Sequence, residues 1–325
     1  METMEGSELC LPLLNASCKP LPLTPKAALT NTLLSAIAAL TVSLNMLVII
    51  SISHFRQLHT PTNVLLLSLA VSDVLVGLLV MPVEISTLHS CWFLGKLMCV
   101  LYYFMSFILT SASVGSMVLI SIDRYVAICY PLRYSSMVTP SRAKICVSLC
   151  WICSVLYNGI ILKEHLSQPD MFNSCYTECA VIISYISGAV DLVFTFFGPV
   201  TVIIALYMRV FVAAVSQARA MRSQIAALKS GNVTVTAKKS ELRAATTLGI
   251  VLLVFILCLC PYYCPSLSGH DTEAEASYVE VWLFYFNSCM NPLIYAFFYP
   301  WFRKAIKLTI SLQILQPGSC EARMM

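Results

Sequence analysis

Charge is scarce in this 325-residue chain: only 11% of its residues are Asp, Glu, Lys or Arg, against about 25% in soluble domains. That shortage excludes a water-soluble globule, since 58% of the residues are hydrophobic and the mean hydropathy is +0.81. So much apolar surface needs lipid. Missing too is the period-two alternation of barrel strands, which leaves helices as the only way to satisfy backbone groups in hydrocarbon. A transporter, the rival of a different class, would show internal repeats with Gly/Pro-broken helices in matching halves; none is found. An intramembrane aspartyl protease would need paired acids on facing helices beside a glycine-rich motif; that setting is also lacking, and the chain reads as no enzyme. Cysteine is plentiful, at fifteen residues, but without zinc-ligand or redox spacing, so most are small buried hydrophobes. The net charge of +4 is modest and its basic residues dispersed, which points away from nucleic acid. Residues 1–26 hold no continuous apolar core followed by a small-residue cleavage site. The first apolar run is therefore expected to act as a signal-anchor.

What is present is a series of bilayer-length apolar runs, at 28–53, 62–86, 97–122, 144–162, 180–208, 244–266 and 277–299. Each is long enough to cross about 30 Å as a helix. The fold expected is an all-α membrane protein, a seven-helix bundle over 28–299 preceded by an extracellular segment 1–27. An outside N-terminus leaves Lys19, Lys26, Lys96 and Lys163 outside and the other sixteen Lys and Arg inside, as the positive-inside rule requires. The acidic residues mirror this, with Asp271, Glu273, Glu275 and Glu280 in the last outer loop and Glu164, Asp170 and Glu178 in an earlier one. Of the two Asn-x-Ser/Thr sequons, Asn15 lies outside and Asn232 inside, so a glycan is expected at Asn15 only. The location expected is the plasma membrane, multi-pass. Residues 300–312 pattern as an interfacial amphipathic helix, with Trp301, Phe302, Ile306 and Ile310 opposed to Arg303, Lys304 and Lys307. A cytoplasmic tail, 313–325, follows.

One landmark falls in each run. They are Asn45, Leu66-Leu67-Ser68-Leu69-Ala70-Val71-Ser72-Asp73, Asp123-Arg124-Tyr125, Trp151, Pro199, Cys258 with Pro261, and Asn291-Pro292-Leu293-Ile294-Tyr295. In that order they resemble class A G-protein-coupled receptors along nearly the whole chain. The stretch Asn287 to Phe302, reading NSCMNPLIYAFFYPWF, is similar to the fingerprint of the trace amine-associated receptors. That family is mostly olfactory and senses volatile amines. The resemblance implies a small amine ligand, a heterotrimeric G protein of stimulatory or olfactory type raising cyclic AMP, and contact with membrane lipid.

Two intramembrane acids carry the most chemistry. An ionised Asp near a helix centre costs about 2.5–3.5 kcal/mol on insertion scales, so each implies a partner or a cavity. Asp73 resembles the family's sodium-binding carboxylate, with Asn287, Ser288 and Asn291 as neighbours; a bound sodium ion is the one cofactor implied. Asp191 stands eight residues before Pro199, where no landmark shared by the wider receptor family requires an acid. It is read as the counter-ion of an ammonium group, because pairing two desolvated opposite charges recovers what burying either alone forfeits. Amine receptors usually place that acid on the third span, seven residues after the outer disulfide cysteine; from Cys99 the count reaches Ser106. The arrangement resembles a branch of fish trace amine receptors whose acid sits on the fifth span. A single-ammonium ligand is expected, with Glu84 and Glu280 as solvated rim charges that keep a diamine open. Ser106, Thr110 and Thr195 could add hydrogen bonds. Rings could face the ammonium from Phe107, Tyr262, Tyr263, Trp282 and Tyr285, and from Tyr102, Tyr103 and Phe196. Leu259 replaces a tryptophan common in relatives, leaving Phe255 and the Pro261 kink to couple ligand to the sixth span.

Toward the cytoplasm, Arg124 and Glu241 are expected to bridge the third and sixth spans in a closed bundle, with Tyr295 swinging nearby when it opens. The outer face being oxidising, the resemblance pairs Cys99 with Cys179, and Cys175 with Cys18 or Cys10. Cys320 is either lipidated or a free tail thiol. A retinal-binding opsin is excluded, because no Lys lies between Lys239 and Lys304. The runner-up ligand is a peptide or lipid mediator.

Overall fold

The computed structural model describes residues 25–87, 92–163, 179, 184–227, 249–261, 263, 274–298 and 300–322. Its spans in order are Pro25–His54, Pro61–Thr87, Gly95–Cys129 and Pro140–Ile161, then a fifth built from Tyr185–Asp191, Leu192–Phe197 and Gly198–Ala227. Gly249–Pro261 and Ala274–Phe298 supply the sixth and seventh. The first five are long and apolar enough to cross a bilayer. A short helix, Pro131–Met137, links the third to the fourth, and Pro300–Ile310 follows the seventh. No strand occurs among the described residues.

Helix starts follow cap chemistry more than hydropathy. Thr60-Pro61 and Thr139-Pro140 each place a hydroxyl that accepts from the main chain, at Asn63 and Arg142 respectively, with proline in the first turn. Pro25 is already helical in the first span, ahead of the apolar run at 28. The third helix continues to Cys129 instead of stopping at 122, because Asp123 and Arg124 interrupt hydropathy without interrupting helicity. Two π turns, Val76–Val80 and Leu192–Phe197, interrupt the second and fifth spans. Each inserts a residue into the helical repeat.

The third span is the hub, packing on the second, fourth and fifth, while the first packs on the second and seventh. The fourth is peripheral. Ile145, Leu149, Ile152, Leu156 and Ile160 form an outward stripe at helical spacing, which suits lipid. Its inner face carries polar groups: Trp151 Nε1 donates to Ser68 Oγ at 3.1 Å, and Asn158 Nδ2 donates to Ser111 Oγ at 3.0 Å. Such bonds are worth about 0.6 kcal/mol each in membranes, so close packing has to supply the rest. Gly115 shows it. A Cβ there would lie 2.3 Å from Cys150 Sγ. Gly115→Ala should be absorbed by rotating the thiol. Gly115→Val should separate the third and fourth spans and cost about 1–3 kcal/mol by overpacking; a lowered melting temperature of the purified protein would show it, and an unchanged one would not fit this contact.

At the far end Trp301, Phe302 and Ala305 are buried against the bundle while Arg303, Lys304 and Lys307 are exposed. Ile306 is half-buried and Ile310 exposed, so the inward face is shorter than the apolar pattern predicts. The chain then turns back: His54 Nε2 and Ser319 Oγ lie 2.9 Å apart, and Arg56 pairs with Glu321 at 3.5 Å on the surface.

Candidate functional site

Asp191 is the last residue before the fifth-span π turn. It is half-buried and faces the fourth span, where Tyr157 donates its hydroxyl proton to Oδ1 at 3.1 Å. Thr195 Oγ1 donates to the same oxygen at 2.8 Å. The other oxygen receives no hydrogen bond from the described residues, and no basic side chain among them pairs with this acid. Two neutral donors orient the carboxylate without cancelling its charge. Tyr157, whose ring also meets Phe194 at 6.2 Å, was not singled out from the sequence. A hydroxyl-bearing ring in an otherwise apolar run at the same end of the bundle was the only signal.

The remaining candidates distribute along this end. Tyr263 is buried and stacks on Phe196 at 4.8 Å, joining the sixth span to the fifth. Tyr102, Tyr103 and Phe107 form a ladder up the third span, with successive centroids 5.3 and 6.2 Å apart. Tyr285 is buried against Phe284, and Trp282 is half-buried. Ser106 is half-buried, and its carbonyl accepts the Thr110 hydroxyl at 2.9 Å. Thr110 therefore spends its proton within its own helix. The Cys99–Cys179 disulfide closes this end, with its Cα atoms 5.5 Å apart. Tyr262, Cys10, Cys18, Cys175 and Asn15 lie outside the described residues.

Deeper in the bundle is a small cavity of about 20 Å³, on the scale of one bound water. Thr110, Ser113, Asn287 and Ser288 give it polar walls, and Phe255, Leu259 and Phe284 apolar ones. Asp191 does not line it. Nearby, Asp73 is 1% exposed and accepts from Asn291 Nδ2 at 3.0 Å, with the Ser288 hydroxyl also within bonding reach. Asn45 Nδ2 donates to the Ser288 carbonyl at 2.9 Å, fixing the first span to the seventh. The second oxygen of Asp73 and the side-chain oxygens of Asn287 and Asn291 have no donor among the described residues. One carboxylate oxygen and two amide oxygens, all buried and without a donor among the described residues, are hard oxygen ligands with a single negative charge between them. That chemistry fits a small monovalent cation.

At the opposite end Arg124 pairs with Asp123 and donates to the Thr62 hydroxyl. Asp123 also accepts from Thr62 and from Tyr134, each at 2.8 Å. Burial, and after it the Asp123 charge, push the Tyr134 hydroxyl above its ordinary pKa, further still from ionising than a free phenol, which is already protonated at physiological pH. Thr62 and Tyr134 are thus two members of this cluster that sequence reasoning missed. Glu241 lies outside the described residues. Tyr295 is buried, its ring edge-on to Phe302 at 6.4 Å.

Comparison with known proteins adds kinship to this geometry. The profile described as 7 transmembrane receptor (rhodopsin family) matches residues 44–295. Trace amine-associated receptor 13c of Danio rerio is 35% identical, over 98% of this chain and 96% of its own. Trace amine-associated receptor 1 of Mus musculus is 35% identical, over 90% and 91%. Trace amine-associated receptor 6 of Homo sapiens is 35% identical, over 96% and 94%.

Proposed function

The chain belongs to the rhodopsin-like seven-transmembrane receptors and, within them, to the trace amine-associated receptors; from that premise we propose that it is a cell-surface receptor for small ammonium compounds. The observation that carries this reading is Asp191, a carboxylate among membrane helices whose partners are two neutral hydroxyls. An arriving ammonium supplies the missing charge, and desolvation makes that pairing stronger than it would be in water. Tyr157 and Thr195 hold Oδ1 in place, so little side-chain entropy is lost when the cation arrives.

Binding is read out at the other end. While Arg124 Nε and Nη2 are tied to Asp123 and Thr62, those donors are unavailable to a partner. An amine that prefers the rearranged bundle shifts the population toward a state with Arg124 free and a groove open for a G-protein helix. Kinship supports a stimulatory or olfactory G protein, cyclic AMP as the output, and a role in smell. Asp73, Asn287, Ser288 and Asn291 would hold a sodium ion, whose positive charge would offset the buried Asp73 carboxylate. An ion held between the second and seventh spans favours the arrangement in which Asp73 and Asn291 are bonded, so it and an amine that prefers a rearranged bundle should oppose each other. Replacing an inert cation with sodium is expected to lower agonist affinity about fivefold or more, and Asp73→Asn should erase the difference; equal sodium sensitivity in both receptors would remove the site.

The whole reading is tested by a cyclic-AMP reporter screen of primary, tertiary and diamines, alongside thermal stabilisation of the purified receptor by the same compounds. Concentration-dependent responses to a subset are expected. Silence in both assays across the panel would overturn it.

A further inference from the structure

Glu84 lies on the second span, half-buried. A charge that merely marks the rim turns its carboxylate to water and binds nothing fixed. Glu84 instead accepts the Tyr102 hydroxyl of the third span on Oε2 at 2.5 Å. The hydroxyl of Tyr285, on the seventh span, adjoins that of Tyr102, so the acid points into the seam where three spans meet. Rings surround the seam. Trp92 stands 6.4 Å from Tyr102 and is held by its own indole N–H, which donates to the Gly95 carbonyl at 2.8 Å; Tyr103 meets Tyr102 edge-on at 5.3 Å. No basic side chain pairs with Glu84 among the described residues. A fixed, half-buried carboxylate with aromatic rings close by is a setting that favours a cation.

We propose that Glu84, pinned by Tyr102, is a second cation-binding carboxylate and that the ligand carries two ammonium groups, one for Glu84 and one for Asp191. This rests on the reading of Asp191 given above. The third-span position where an acid was expected holds Ser106, one helical turn below Tyr102. The charge is supplied from the neighbouring second span instead. Asp191 on the fifth span and Glu84 on the second lie toward the same end of the bundle, and among the described residues each is bonded only to neutral hydroxyls. A monoamine neutralises one acid and leaves the other bare; a diamine of matching length neutralises both, in contrast to the single ammonium expected from the sequence.

The test compares straight-chain α,ω-diaminoalkanes with the corresponding monoamines on the wild-type receptor, Glu84→Gln, Tyr102→Phe and Asp191→Asn, each normalised to surface expression. Glutamine keeps the acceptor that Tyr102 bonds, so Glu84→Gln should fold. Its sensitivity to the best diamine should fall about tenfold or more, with monoamine sensitivity within about twofold. Tyr102→Phe, which keeps the charge but frees it, should lose part of the same preference. Thermal stabilisation of purified receptor by the same compounds gives a second readout independent of signalling. If Glu84→Gln weakens both series equally, or neither, while Asp191→Asn abolishes both, the second subsite is wrong and the amine reading survives. Wild-type receptor that prefers no diamine over its monoamine also overturns it. An Asp191→Asn receptor with unchanged responses would take down the amine reading itself, and this inference with it.

Discussion

Asp191→Asn receptors reach the cell surface in normal amounts and lose about a hundredfold or more of their amine sensitivity, since removing one member of a desolvated charge pair costs about 2–5 kcal/mol. Asparagine is nearly isosteric, and its side-chain oxygen still accepts from Tyr157 and Thr195, so the packing of the fourth and fifth spans is retained. What changes is charge alone. Tyr157→Phe is the companion variant: it removes one of the two orienting donors and keeps the charge, and it should cost about tenfold, in line with a hydrogen bond to a charged group. Cell-surface labelling with concentration–response curves separates these outcomes. Equal potency in wild type and Asp191→Asn would show that the ammonium is held elsewhere.

The second large effect is expected at Asp123. In the Asp123–Arg124 pair the side chains are 2% and 12% exposed, so the ion pair lies within the protein and not on its surface. Asp123→Asn leaves Arg124 a buried cation with the neutral Thr62 and an amide, a change of the kind that costs about 3–5 kcal/mol in buried pairs. That loss falls on the arrangement in which the pair is formed, taken in the proposed mechanism as the closed one. If even about 1.4 kcal/mol of it is differential, the closed-to-open ratio shifts tenfold. Basal cyclic AMP should therefore rise several-fold at matched expression without any amine. A basal level equal to wild type would mean that the Asp123 cluster does not restrain Arg124.

The membrane bundle was legible in the sequence because hydropathy needs no knowledge of neighbours. An apolar run either spans or does not, and its lipid-facing stripe, as on the fourth span, follows from the helical repeat. The acids were legible for the same reason: in hydrocarbon a charge announces itself by its cost. Their partners were not. Tyr157, Thr62 and Tyr134 carry ordinary side chains whose role arises only when another span presents a carboxylate to them. From the sequence Glu84 reads as a solvated rim charge, because its sequence neighbours say nothing of Tyr102, which approaches from a different helix. The helicity of Pro25 and the extension of the third helix to Cys129 lie beyond the hydropathy of the apolar runs, because backbone bonding, not hydropathy, decides where a helix ends. The folding back of the tail onto His54 and Arg56 likewise has no motif.

The π turn at Leu192–Phe197 also has no residue signature, yet it sets the aim of the fifth span. One additional residue rotates everything before it by about 100° about the helix axis. Deleting a single amino acid within 192–197 would restore the ordinary repeat and swing the carboxylate away from Tyr157 with both side chains intact. The number of residues between Asp191 and Pro199 thus steers this carboxylate as firmly as the choice of side chain does.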